Sequence, residues 1–110
     1  MASSHLNRVN ELIRATIAEI ISREVEMPPG VFVTVAKVDT TRDLRYAQVF
    51  VSVFPEKKFG NAIKILSKKI YILQGSLNKK LHMKPLPRIE FVSDHTEAEA
   101  DKIEKLLKEI

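Results

Sequence analysis

A chain of 110 residues, 45% hydrophobic and 29% charged, suffices for one small globular domain and leaves few apolar side chains to spare from its core. No apolar run approaches the length of a membrane span, the first residues lack the basic and apolar regions of a secretory leader, and there is no cysteine. A membrane anchor, disulfides and thiolate metal sites are therefore not expected, and a reducing cytoplasm is. The formal charge of +4 is unevenly spread: residues 56–91 hold nine Lys or Arg against two acids, and residues 92–110 hold six acids against three Lys.

Leu6, Val9, Ile13, Ile17 and Ile20 recur at helical spacing and predict an amphipathic helix to about Arg23, with Ser4 as its N-cap. Pro28-Pro29-Gly30 ends it, since the prolines remove a donor and favour extended backbone. Residues 31–39 read as a strand, rich in β-branched side chains, and 40–44 as a polar connection. Residues 46–54 are a second strand with clean alternation: Ala47, Val49, Val51 and Val53 on one face, Gln48 and Ser52 on the other. The short loop between them implies an antiparallel hairpin with one buried face.

A long helix is predicted from about Glu56, with Phe59, Ala62, Ile63, Leu66, Ile70 and Leu73 as its apolar stripe and Lys57, Lys64 and Lys68 opposite. Ile65 and Ile72 flank the stripe, either as a widened core face or as an exposed contact. A glycine inside a helix costs about 1 kcal/mol against alanine, so Leu73-Gln74-Gly75 is read as a kink. A second helix then runs from Ser76 through Leu81. Pro85 and Pro87 force an extended segment, and residues 88–92 form a third strand with Ile89 and Phe91 on one face. Thr96 caps a last helix, acidic in its first turns and apolar at Ile103, Leu106, Leu107 and Ile110, on which the chain is expected to end. The order is α-β-β-α-(kink)-α-β-α: one α+β domain over residues 1–110, a three-stranded sheet packed on helices, in the type II KH-like arrangement.

Catalysis gains little support. There is no cysteine nucleophile and no G-x-S-x-G elbow. Asp94-His95 is the nearest approach to a dyad, and turn capping explains Asp94 equally well. His5, His82 and His95 lack ligand spacing, so no metal is expected. Three glycines cannot build a nucleotide loop. No cofactor and no small-molecule substrate are expected. A basic block on a small domain instead suits nucleic acid, with a protein-interaction adaptor for an acidic partner or a general RNA-binding module that uses the basic helix as the alternatives. Lys64, Lys68, Lys79, Lys80 and Lys84 are the candidate phosphate contacts. Arg42 and Arg45, in the hairpin connection, join them because guanidinium pairs bidentately with phosphate. A typical KH domain clamps a single strand with a G-x-x-G loop, and no two glycines here are three apart.

The chain resembles the ribosome-binding factor A family over essentially its whole length. The resemblance is carried by Arg8-Val9, by Val33-Thr34-Val35 and Val38, and by the run Asp43-Leu44-Arg45-Tyr46-Ala47-Gln48-Val49-Phe50-Val51-Ser52. Leu81, Pro87, Ile89, Phe91, Asp94 and Ile103-x-x-Leu106-Leu107-x-x-Ile110 complete it. The family replaces G-x-x-G with an Ala-x-Gly kink; aligned on Gly75, the alanine position is Leu73 and a frequent arginine is Asn78. The resemblance implies a non-catalytic, monomeric cytoplasmic factor that binds the immature 30S subunit through 16S rRNA, supports late rRNA processing, and supports growth in the cold.

Overall fold

The computed structural model describes residues 2–84 and 86–94. Helix α1 (Ala2–Glu24) is followed by strands β1 (Phe32–Thr40) and β2 (Tyr46–Phe54). A 3-10 turn (Glu56–Lys58) then leads into α2 (Phe59–Lys68), α3 (Ile70–Lys80) and β3 (Arg88–Ser93). The fold is α+β, with the expected α-β-β-α-α-β order. The predicted C-terminal helix from Thr96 lies outside the described residues.

The sheet order is β1-β2-β3. The hairpin β1–β2 is antiparallel, as its short loop requires, and β3 runs parallel to β2 after the crossover through α2 and α3. Alternation places Ala47, Val49, Val51 and Val53 inward on β2. On β1 the alternation breaks: Val35 and Val38 are both buried, three apart. A register shift between Val35 and Lys37 explains this, because the extra residue returns Val38 and Thr40 to the core face. Helix α1 packs on β1 and α3, while α2 packs on β2 and β3. Ile13, Ile17 and Ile20 of α1 meet Leu66, Leu73 and Leu77 in one core, all without solvent exposure. Asn10 ties α1 to the sheet, its Oδ1 accepting the Thr40 backbone N–H at 2.9 Å.

Two local expectations are corrected. Helix α1 begins at Ala2, so Ser4 lies inside the helix rather than at its cap. Leu73, Gln74 and Gly75 fall within an uninterrupted α3, and the break between the helices sits at Lys69 instead. Lys69 takes φ −96° and ψ 6°, and its N–H turns to the carbonyls of Leu66 and Ser67. The reason is one of magnitudes. A glycine weakens a helix by about 1 kcal/mol, whereas burying each of Leu73 and Leu77 stabilises it by roughly 1.5–3 kcal/mol. The leucines on either side of Gly75 hold the helix through it. Ile65 packs partly against the core, while Ile72 is half exposed.

Candidate nucleic-acid interface

Helix α2 buries Ala62 and Leu66. At about 100° per residue that turns Lys64 and Lys68 to the opposite side, and both are exposed. Lys69 continues their surface at the break. No ion pair among the described residues holds any of these three, so their charge is available. Helix α3 is different. It buries Leu73 and Leu77, so Lys79 faces solvent while Lys80, seven residues after Leu73, lies near the buried edge. There its Nζ meets Glu19 Oε1 of α1 at 2.9 Å. That hydrogen bond, with the charge of Lys80 behind it, holds the Glu19 carboxyl below its ordinary range. Lys80 is therefore committed to the fold. Lys84 is exposed in the segment leading to β3.

The hairpin connection is braced by its own side chains. Thr41 Oγ1 donates to Asp43 Oδ1 at 2.6 Å, and the Arg45 backbone N–H donates to the same oxygen at 3.1 Å. These two bonds lower the Asp43 pKa, the Thr41 hydroxyl contributing most. Leu44 takes a left-handed φ of 59° and packs partly against the core. The braced loop presents Arg42 and Arg45 to solvent, with the Arg45 guanidinium 3.8 Å from Asp43.

Parallel pairing of β3 with β2 brings a further cation to this end of the sheet. The Arg88 N–H donates to the Arg45 carbonyl at 2.8 Å, and Arg88 is the register partner of Tyr46. Both arginines are exposed, and Arg88 joins no ion pair among the described residues. Arg88 also borders a cleft of about 340 Å³ shared with Ile70, Tyr71, Gln74 and Ile89. The fold thus links Arg45, Arg88, the start of α3, and Lys69, Lys68 and Lys64. Lys79 and Lys80 lie at the other end of α3, about 12 Å along its axis from Tyr71. Sequence reasoning singled out neither Arg88 nor Tyr71. Tyr71 was visible in principle: it stands well off the Leu66–Leu73 stripe, where an aromatic is not needed for the core.

Among the described residues no helix is long and apolar enough to cross a membrane, and no three His, Asp or Glu gather where a metal could bind.

A family model described as ribosome-binding factor A matches residues 5–107. The chain is 34% identical to the ribosome-binding factor A of Natranaerobius thermophilus over all of its length and 85% of that protein. It is 36% identical to that of Bdellovibrio bacteriovorus over 94% of this chain and 78% of that one. Among solved structures, the crystal structure of ribosome-binding factor A from Thermus thermophilus superposes with a TM-score of 0.70. That match is at 26% identity and covers 80% of this chain and 94% of that one. A Thermus thermophilus homology model, fitted into the cryo-EM map of a complex between the 30S and ribosome-binding factor A, gives a TM-score of 0.62. It is 28% identical, over 76% of this chain and 88% of that one.

Proposed function

The chain belongs to the ribosome-binding factor A family, and on that premise we propose that it binds the maturing 30S subunit in the cytoplasm through 16S rRNA, without catalysing a reaction. The observation that carries the rRNA part is the run of exposed cations from Lys64, Lys68 and Lys69 through Arg88, none of them in an ion pair among the described residues, to Arg45, with Arg88 standing beside an exposed aromatic. The related Thermus factor fitted into a 30S complex map supports the choice of particle.

Lysines on α2 neutralise phosphates and release the counterions condensed on RNA. Arg42 and Arg45, held on a braced loop, offer planar donors to phosphate at little ordering cost. With no G-x-x-G loop to clamp a single strand, the protein recognises rRNA shape and charge rather than sequence. Its effect is that of occupancy: the bound factor holds a late rRNA conformation, in which processing proceeds, until maturation removes the site.

The test is co-sedimentation with purified small subunits, large subunits and 70S ribosomes across a salt series, with a ribonuclease-treated control. Pelleting with free small subunits that fades with salt and with nuclease is expected. Failure to pellet with small subunits at low salt overturns the reading, and nuclease-resistant pelleting moves it to a protein partner.

A further inference from the structure

Tyr71 is the most exposed large apolar side chain among the described residues, at 90%. It adds almost nothing to the core, and single exposed aromatics are unremarkable by themselves. Its surroundings are more informative. The ring borders the cleft floored by Ile70 and Ile89, with Arg88 among the other residues that line it. Shortly before it in the chain come Lys68, the last residue of α2, and Lys69, at the break between the two helices. An aromatic face, a guanidinium and two adjacent ammonium groups form a set that suits a base and its phosphates. Aromatic rings and guanidinium planes both stack on bases, and lysines meet the backbone.

We propose that the cleft between Tyr71 and Arg88 holds one unpaired RNA base by stacking, and that it does so with little regard to which base. This rests on the rRNA-binding reading above. The indifference to sequence follows from Gln74. Strand β3 is an edge strand, and its open side lines the cleft. There the Gln74 side chain accepts the Ile89 N–H at 2.9 Å and donates to the Pro87 carbonyl at 3.1 Å. The same amide also donates to Asn78 Oδ1 at 3.0 Å. The backbone donor and acceptor that could read a base edge are therefore already engaged. What the cleft offers is the Tyr71 face and the Arg88 charge, and every base has a face to stack.

The chain has two tyrosines, Tyr46 and Tyr71, and no tryptophan. Tyr71→Trp therefore installs a unique fluorophore at the site. The probes are 12-nucleotide single-stranded RNAs of uridine, cytidine or adenosine, with an RNA duplex of equal length as control. Indole quenching by all three single strands, within a few-fold of one another, and none by the duplex, is expected. Tyr71→Ala should weaken single-strand binding roughly 5- to 150-fold, and Tyr71→Phe should retain it. Tyr71 is exposed enough that melting curves of these variants should match the wild type.

Absent quenching, or an alanine variant that binds single strands as tightly as wild type, overturns the proposal. So does quenching by only one of the three bases, because the cleft would then be reading sequence. An alanine variant that loses small-subunit binding while keeping the RNA strands would assign the ring to a protein contact and also overturn it. Co-sedimentation of the wild type separates the two levels. If it pellets with small subunits and no quenching occurs, only the stacking site falls. If it does not pellet, the rRNA reading falls and the stacking site with it.

Discussion

Replacing Gly75 by alanine should stabilise the protein, and replacing Leu73 two residues earlier should destabilise it severalfold more. A β-carbon built on Gly75 meets no heavy atom within 4 Å, and its backbone is helical within Ile70–Lys80. The substitution thus removes glycine's conformational freedom from the unfolded chain and adds no clash. The expected gain is about 1 kcal/mol, or roughly 4 °C or more in Tm for a domain of this size. Leu73 has no solvent exposure and packs in the same core as Leu66 and Leu77. Leu73→Ala leaves a cavity there and should cost about 2–5 kcal/mol. The assay is urea unfolding followed by circular dichroism, with midpoints compared at equal slope. A Gly75→Ala variant less stable than wild type would refute the reasoning. It would show that the native backbone at Gly75 is bent in a way that alanine resists, and that the Lys69 turn is not the sole break between the helices.

Lys64→Glu with Lys68→Glu should weaken small-subunit binding with the melting curve unchanged, and should flatten the slope of log affinity against log salt by roughly 1.5–2. Unchanged co-sedimentation would place the interface off α2. Lys80→Gln should leave binding nearly intact, because Lys80 is already paired with Glu19. Since the Glu19 carboxyl is held below its ordinary range, its contribution is full above that range and is lost as pH falls from there through the lowered folded-state value. Urea midpoints taken from neutral to acid pH should therefore fall less in the variant than in the wild type. Thr40→Val should stabilise by about 1 kcal/mol, since Thr40 Oγ1 is buried with no partner among the described residues. Asn10→Ala should cost roughly 1–2 kcal/mol by orphaning the Thr40 N–H, and hydrogen exchange at that amide should quicken.

The elements that periodicity reports are the ones the sequence made readable. Ile13, Ile17 and Ile20, and the alternation from Tyr46 to Phe54, each carry their own geometry, so α1 and β2 needed no tertiary information. The helix break did need it. Gly75 is the only local signal of weakness in that stretch, yet the core overrides it through Leu73 and Leu77. The actual turn falls on Lys69, an exposed lysine that no propensity scale marks. The β1 bulge was half visible. Val35 and Val38 are one residue out of step for a regular strand, and only pairing with Val51 and Val49 shows that both must point inward.

For the candidate site, a lysine count could not separate free charges from structural ones, because that depends on which partners the fold brings near. Lys64 and Lys80 look alike in sequence, but α2 turns the first to solvent while α3 delivers the second to Glu19. The reverse holds for Arg88. As the first residue of a short strand it reads as an edge charge, and parallel pairing sets it beside Arg45 and across a cleft from Tyr71. That juxtaposition joins Arg88 to residues 43 and 17 positions earlier by way of a crossover, a relation that no local pattern encodes. Charge reversal at Arg88 should accordingly weaken small-subunit binding more than reversal at Lys80, although both lie in the same basic segment. A salt-series co-sedimentation of the two single variants decides it. Equal losses would mean that total charge, rather than its placement by the fold, governs the interaction.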